Sequence, residues 1–218
     1  MSLSPAFRPQ GAHVIHSVAC EIWGPKAGLR TLFLRNCHMK LETIGADSAT
    51  TVWTIDPQYA TVEFSAKMLF FKINGRFTDF GGKITLDEND VYRSSAEVTI
   101  NAASVSTGVK TRDEHLRSKD FLDAAKYPEI HFQSASVGRG KDRDMLRVNG
   151  ALTIKGQSRE VALDVTITDR SRSPHGDEIL YFAAVAEIDR FDFGVKYARG
   201  LIGSALKILI QAQATKRR

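Results

Sequence analysis

The feature that most constrains this fold is a two-residue alternation of apolar and polar side chains, which runs from Trp53 almost to the end of the chain. In ATVEFSAKM the apolar set shares one face, and SSAEVTIN, RVNGALTIK and REVALDVTIT repeat the pattern. Because successive side chains of a strand point to opposite faces, each segment buries one face and exposes the other to water. The pattern predicts antiparallel strands, since parallel strands are buried on both faces.

Short turn-like segments separate these strands, namely DEND (87–90), GRGKDRD (138–144), KGQS (155–158) and SRSPHGDE (171–178). Many strands joined by short turns indicate a sandwich or an up-and-down barrel, and a barrel leaves no edge exposed. Gly81-Gly82 favours the barrel, because glycine in a strand often marks a bulge or a corner. We predict an all-β barrel of about eight antiparallel strands with a short helical insertion, a size that holds one small ligand.

A change of composition near residue 50 divides the chain. Residues 1–50 lack a sustained period, so they are predicted to be an N-terminal extension that is poorly ordered or reflects a start codon assigned too far upstream. Residues 51–215 form the predicted barrel. Cys20 and Cys37 both lie in the extension without the short C-x2-C spacing of a zinc site, so no metal site is predicted.

The composition argues against two classes of partner. The net charge of +5 comes from basic residues dispersed among acidic ones, without an aromatic stacking platform, so nucleic-acid binding is not predicted. No segment reaches the roughly 20 apolar residues of a membrane-spanning helix, and no basic start leads into an apolar run. The prediction is a cytoplasmic protein with no integral membrane segment, and no motif indicates a cofactor.

The segment TRDEHLRSKDF (111–121) contains six charged side chains and one histidine in eleven positions. Thr111 and Glu114 have the spacing of a capping box, which predicts a helix start at Thr111. Ser118 is a suitable cap for a second short turn that must end before Pro128. Two short helices are therefore predicted, with their charges outward and three apolar residues directed into the barrel: Leu116, Phe121 and Leu122.

Five sequence blocks, in this order, carry a family resemblance: TVWTIDPQYATVEFSAK, GRFTDFGGKI, VSTGVKTRDEHLRSKDFLDAAKYPEIHFQS, VNGALTIKGQSREVALDV and IDRFDFGV. They resemble the YceI-like family of lipocalin-like, polyisoprenoid-binding proteins over residues 52 to about 213, and RDEHLRSKDF followed by YPEIHFQS is the most specific part. The resemblance implies an extended eight-stranded antiparallel lipocalin-like barrel with a long apolar lumen for an isoprenoid or other lipid tail. It also implies a role in stress response and, because members are often periplasmic or secreted, an export signal that this chain does not show.

Two positions depart from the family pattern. Where members commonly carry His-Ser after the ID-P turn, this chain has Tyr59-Ala60, and where they commonly carry Lys-His in the next strand, it has Lys67-Met68. If those histidines contact a polar head group, that contact is changed here, and Met68 offers a flexible apolar surface instead. Arg112 and His115 of the charged segment are retained.

We predict non-catalytic binding or carriage of a long apolar lipid such as a polyisoprenoid, an isoprenoid quinone or a fatty acid. Small residues at inward positions, such as Ala66, Ala184 and Ala186, leave room in a lumen, where each buried CH2 contributes about 0.8 kcal/mol. The predicted head-group contacts are Arg112 and His115. The predicted lumen residues are Phe64, Ala66, Met68, Phe71, Phe77, Phe80, Val98, Leu116, Phe121, Phe132, Leu152 and Phe182.

Two other functions stay open. An enzyme acting on a lipophilic substrate would use the Arg112-Asp113-His115 rim, but no nucleophile motif accompanies it, so no catalytic residue is predicted. His131 alternates with inward residues and is predicted to face outward. A barrel filled by its own phenylalanines would instead be a protein-interaction scaffold. A homodimer is compatible with the apolar surface patches of such a barrel.

Overall fold

The computed structural model describes residues 50–216 of the 218. The predicted extension, residues 1–50, lies outside the described residues except for Thr50, and so do Cys20 and Cys37. The described strands are β1 (Thr50–Ile55), β2 (Thr61–Met68), β3 (Phe71–Phe77), β4 (Phe80–Asp87), β5 (Ser95–Asn101), β6 (Val105–Ser106), β7 (Glu129–Arg139), β8 (Met145–Ile154), β9 (Gln157–Arg172), β10 (Glu178–Asp189) and β11 (Ile202–Lys216). The helices are α1 (Lys110–Arg117) and three 3-10 turns, Pro57–Tyr59, Val91–Arg93 and Ala102–Ser104.

Eight of these strands close into a ring. Neighbours pair antiparallel in the order β1, β4, β5, β7, β8, β9, β10, β11, and β11 returns to β1, where Thr54 lies opposite Thr215. Closure leaves none of the eight at a free edge. The predicted all-β fold, an eight-stranded antiparallel barrel with one short helix, is confirmed.

The wall is lengthened on one side by β2 and β3. β1 pairs with the C-terminal part of β11 and β2 pairs with its N-terminal part, because the Pro57–Tyr59 turn bends the chain between them. Asp56 caps that turn by accepting a hydrogen bond from the Gln58 backbone N–H at 2.9 Å. β3 then pairs with β2 on one side and with the two-residue β6 on the other.

Where consecutive strands run in opposite directions, the link between them lies at one of the two ends of the barrel. The loop end carries the links 88–94, 140–144 and 173–177. The helix end carries α1, the β2–β3 turn at 69–70, the β8–β9 turn at 155–156 and the β10–β11 loop at 190–201.

Helix α1 begins earlier than the capping box predicts. Val109 occupies the N-cap position without a side-chain hydrogen bond, and Thr111 lies inside the first turn, so the predicted capping box is wrong. Asp113 supplies the missing support, because its buried carboxylate accepts a hydrogen bond from the Thr107 backbone N–H at 2.7 Å. Hydrogen-bonded turns over 118–127 replace the second predicted helix.

The buried core consists of two clusters. The first includes Trp53, Leu86 and Leu180 and packs towards the loop end. The second includes Ile154 and Phe193 and packs towards the helix end. Among residues 50–216, no helix has the length and apolar character needed to cross a bilayer.

Candidate functional site

An apolar cavity of about 590 Å³ runs through the barrel. All eight ring strands contribute to its wall, which extends from Leu86 and Val91 near the loop end to Leu116 and Tyr197 at the helix end. Its volume lies within the range of about 300–1,000 Å³ that is typical of small-molecule sites. Seven of the phenylalanines therefore line a lumen rather than filling the barrel.

The lumen is long for its volume. On β11 the lining side chains run from Ile202 to Ala212, which at about 3.3 Å per residue is roughly 33 Å of strand. With a strand tilt of about 40°, this corresponds to roughly 25 Å along the barrel axis. The hydrocarbon depth of one bilayer leaflet is only about 15 Å, half of the usual 30 Å core.

Two glycines hold aromatic rings against the cavity wall. A Cβ atom on Gly75 would lie 2.4 Å from Cζ of Phe64, its partner across the β2–β3 pair. A Cβ atom on Gly150 would lie 2.8 Å from the ring of Phe132. Because both phenylalanines line the cavity, the absent Cβ atoms let the rings lie back on the sheet and leave the lumen open.

Eleven of the twelve predicted lumen residues line the cavity, and both predicted head-group residues, Arg112 and His115, line it as well. That they bind a ligand stays a prediction. The eleven are Phe64, Ala66, Met68, Phe77, Phe80, Val98, Leu116, Phe121, Phe132, Leu152 and Phe182.

Phe71 is the exception, because it is not among the residues that line the cavity; a contact between Phe71 and a ligand stays a prediction. It lies opposite Met68 and therefore on the cavity side of β3, as the alternation predicts. It is the first residue of the strand, however, so its ring projects past the end of the wall and is 71% exposed. Alternation gives the face of a side chain but not its height along the barrel.

Three elements meet at the helix end and form the mouth of the lumen. His115 of α1 packs edge-on against Tyr197 of the β10–β11 loop, with ring centroids 4.8 Å apart, and against Phe121 at 5.0 Å. The backbone N–H of Leu69, in the β2–β3 turn, donates to the Leu201 carbonyl at 3.0 Å. Tyr197 and Leu201 line the cavity and are also exposed, so the lumen reaches the surface here.

Arg112 is the cation best placed at this mouth. Its Nε donates to Thr107 Oγ1 at 2.7 Å, and its Nη2 donates to the Thr107 carbonyl at 3.1 Å. A guanidinium carries five N–H donors, so three remain beyond these bonds for an anionic group. His115 lies beside it, with Nε2 3.2 Å from Asp120 Oδ2.

Asp113 has a structural role at the mouth. Hydrogen bonds from Thr107 hold the pKa of its carboxyl below the ordinary value, and the positive charges of Arg117 and Arg112 act in the same direction against the effect of burial. Arg117 ties α1 to the preceding chain through the carbonyls of Ala103 (2.6 Å) and Val105 (2.9 Å). Asp113 is therefore an ionised anchor of the helix.

Arg190 fixes the β10–β11 loop from inside. Its side chain lines the cavity, is only 3% exposed and has no carboxylate ion pair among the described residues. Burial lowers the pKa of its guanidinium, and the nearby charge of Asp189 opposes that shift. It donates hydrogen bonds at 2.8–3.0 Å to the carbonyls of Val195, Tyr197, Ile202 and Gly203.

Sequence reasoning missed three residues of the mouth: Arg190, Tyr197 and Leu201. All three lie in or beside the β10–β11 loop, where strand alternation stops and gives no facing information. Arg190 stands in the block IDRFDFGV, where the alternation of β10 ends, and an arginine at such a strand-to-loop junction is the sequence signal that could have pointed to it.

Other predicted positions are placed as follows. His131 faces outward, as predicted, and lies 3.1 Å from Glu97. At the two departures from the family pattern, Tyr59 and Lys67 are exposed, whereas Met68 lines the cavity. Within residues 50–216, no cluster of three or more histidine, cysteine, aspartate or glutamate side chains is arranged to hold a metal ion.

Residues 53–214, the barrel with its lumen, match the family model of the YceI-like domain. The chain belongs to the YceI-like family. It is 35% identical over 162 residues to Protein YceI of Escherichia coli O157:H7, across 74% of this chain and 84% of that protein.

Two solved structures share the YceI-like fold. The crystal structure of Burkholderia cenocepacia BcnA matches with a TM-score of 0.67 at 24% identity, over 73% of this chain and 98% of BcnA. A polyisoprenoid binding domain from Saccharophagus degradans, implicated in plant cell wall breakdown, matches with a TM-score of 0.56 at 14% identity, over 77% of this chain and 99% of that domain. At these identities the likeness concerns the fold.

Proposed function

We propose that this protein binds one long apolar lipid in its lumen and does not transform it. The observation that carries this proposal is the continuous apolar cavity, about 590 Å³ in volume, that reaches the surface at the helix end. Burial contributes about 0.8 kcal/mol per CH2, so a long tail binds tightly with few polar contacts.

An isoprenoid is the ligand class that best suits the dimensions. A lumen of roughly 25 Å is longer than the leaflet depth of about 15 Å that ordinary acyl chains fill. The polyisoprenoid binding of the Saccharophagus degradans domain supports the same class. Isoprenoid quinones and long fatty acids are further candidate ligands and should be tested beside isoprenoids. Carriage of the lipid between sites and a role in stress response stay predictions.

The polar head of the ligand is assigned to the mouth. Arg112 and His115 line it, and Arg112 retains N–H donors for a phosphate or carboxylate. The opposite part of the lining consists of apolar residues such as Val137, Leu146 and Ile167 together with two serines. Head and tail therefore have different surroundings along the lumen.

The enzyme alternative has less support. Catalysis by the Arg112-Asp113-His115 rim needs a group that takes up or releases a proton near the substrate, but Asp113 is buried and held ionised by Thr107. His115 lies within hydrogen-bond distance of Asp120, and the neighbouring hydroxyl of Ser118 accepts from the Asp120 backbone N–H at 3.3 Å, with no hydrogen bond between this hydroxyl and the His115 ring among the described contacts.

Native mass spectrometry of gently purified full-length protein, with organic extraction, tests the proposal. We expect an added mass of one prenyl or acyl lipid per chain, or uptake of one after incubation with isoprenoid alcohols, quinones or fatty acids. An apo mass that stays unchanged with every lipid would overturn the proposal. The same spectra give the oligomeric state, for which a homodimer stays a prediction.

A matched pair of variants locates the ligand. Ala184 is buried and lines the lumen, whereas Ala183 belongs to the opposite face of β10. Ala184→Phe places a ring inside the lumen and should abolish lipid uptake, while Ala183→Phe should retain it. Equal uptake by both variants would place the lipid outside the barrel.

A further inference from the structure

The β2–β3 hairpin presents an apolar tip to solvent beside the mouth. Phe70 is 96% exposed, Leu69 is 62% exposed and Phe71 is 71% exposed. Leu201, which is 56% exposed, joins them through its hydrogen bond with Leu69. We call Leu69, Phe70, Phe71 and Leu201 the tip patch; four large apolar side chains at adjoining turns form a patch that marks an interaction surface.

The surroundings of the tip patch carry unpaired positive charge. The segments 67–72 and 196–201 contain four basic residues and no acidic one. Lys67, Lys72 and Lys196 form no ion pair with another described residue, and all three are exposed. Exposed aromatic and aliphatic side chains within a cationic rim match an anionic lipid surface, where apolar groups insert and lysines meet head groups.

We propose that the tip patch docks the helix end of the barrel on an anionic lipid bilayer. Leu69, Phe70 and Phe71 enter the interface between head groups and acyl chains, and the surrounding lysines contact anionic head groups. Two exposed phenylalanines and a few basic residues give weak, reversible binding rather than permanent anchoring.

The docked orientation places the mouth against the bilayer. Met68 and Leu201 line the lumen, and Leu69 and Phe70 directly follow Met68. A lipid that leaves the bilayer at this point therefore enters the barrel without crossing water. That last step rests on the proposed function, whereas the docking itself does not.

Vesicle flotation of the full chain tests the docking. The vesicles contain phosphatidylcholine alone or phosphatidylcholine with 30% phosphatidylglycerol, at low and at physiological salt. We expect binding to the anionic vesicles, weakened by salt, and at least tenfold weaker binding for Phe70→Ser/Phe71→Ser. Tyr59→Ser is the control, because Tyr59 is 64% exposed and lies in the β1–β2 link away from the tip.

Charge variants test the lysines around the tip patch separately. Lys67→Glu and Lys72→Glu should each weaken binding on the order of fivefold. Lys141→Glu, in a link of the loop end, should leave it unchanged. Binding to neither vesicle, or binding that the Phe70→Ser/Phe71→Ser change does not weaken, would overturn the proposal.

A second copy or a protein partner on the tip patch would also overturn it. Size-exclusion chromatography with light scattering detects the first, as a dimer that Phe70→Ser/Phe71→Ser converts to a monomer. Ala184→Phe separates docking from cargo, because it should still float with anionic vesicles while failing to take up lipid. In the unaltered protein, flotation without lipid uptake would contradict only the proposed function, and lipid uptake without flotation would contradict only the docking.

Discussion

The two ends of the barrel are built from the same strands but differ in how far their charged side chains form ion pairs. At the loop end several charged side chains pair with one another, for example Arg170 with Glu88 at 3.2 Å and Arg172 with Glu178 at 3.3 Å. Arg170 and Lys216 also lie over the fully buried Trp53. At the helix end the exposed Lys67, Lys72 and Lys196 surround apolar side chains and form no ion pair with a carboxylate of the described residues.

This difference in charge pairing distinguishes the loop end from the helix end, which carries the mouth. Paired surface charges are largely satisfied by one another and attract an external ion weakly. Unpaired cations beside an opening retain their attraction for an anionic ligand or surface. We therefore expect ligand and membrane recognition to depend on the helix end rather than on the loop end, and the following predictions compare the two ends.

The largest effect is expected for the arginine buried at the helix end. Arg190→Met removes the donors of four carbonyls and should destabilise the protein by about 3 kcal/mol or more, because unmade buried hydrogen bonds are costly. Arg170→Met removes an exposed ion pair at the loop end and should cost about 1 kcal/mol or less. Urea unfolding measures both, and equal losses would mean that the ends do not differ in this respect.

Head-group recognition should depend on the helix end alone. Arg112→Gln should bind an isoprenoid phosphate about tenfold more weakly, since it loses charge-assisted hydrogen bonds, and should bind the isoprenoid alcohol as before. Arg139→Gln, on β7 near the loop end, is the control. Titration calorimetry with both ligands checks this, and a loss of alcohol binding in Arg112→Gln would indicate damage to the mouth itself.

The width of the lumen should depend on Gly75, against which the ring of Phe64 packs. Gly75→Ala pushes that ring into the lumen, so affinity for a long isoprenoid should fall about threefold; displacing a packed side chain typically costs on the order of 1 kcal/mol. Gly138 on β7 has open space where its Cβ would stand, so Gly138→Ala should bind normally. Unchanged affinity in Gly75→Ala would show that the ligand does not pass this ring.

The smallest expected effect is a pH dependence that comes from α1. Because the folded protein lowers the pKa of Asp113, its stabilising contribution is present above its ordinary pKa of about 4 and is lost as the pH falls through the folded value. Asp113→Asn should thus be less stable than the parent at neutral pH, and the gap should close in acid. Urea midpoints between pH 3 and 7 measure it, with Asp142→Asn in a loop-end link as the unaffected control.

The features of the fold that depend on the two-residue alternation of side chains could be predicted from the sequence. Alternation gave the strands, the barrel and the inward faces, and residues that it places on inward faces, such as Phe64, Leu152 and Phe182, line the cavity. Ligand binding by these residues stays a prediction. It did not predict that Phe71 projects beyond the wall, because height along the barrel depends on where the hairpin turns.

The helix end was predicted less well, since its contacts join distant segments. The Thr111 and Glu114 spacing matched a capping box, yet the buried carboxylate of Asp113 and the backbone of Thr107 determine where α1 begins. Arg190 and Tyr197 lie in an irregular loop, and only tertiary contacts show that the first fixes the loop and the second packs on His115. Local patterns cannot reveal a site that three remote segments assemble.

The closure of the ring through β11 also affects the order in which the strands pair during folding. The hairpins from β7 to β10 join neighbouring segments, whereas Thr54 meets Thr215 across 161 positions of chain. Long-range pairings slow folding to the range of about milliseconds to seconds. Until the fifteen residues of β11 join β10, β2 and β1, the apolar wall is an open trough exposed to water and to other chains. We therefore expect newly made protein to be most prone to aggregation in that interval, and a lipid present at that time to act as a folding ligand.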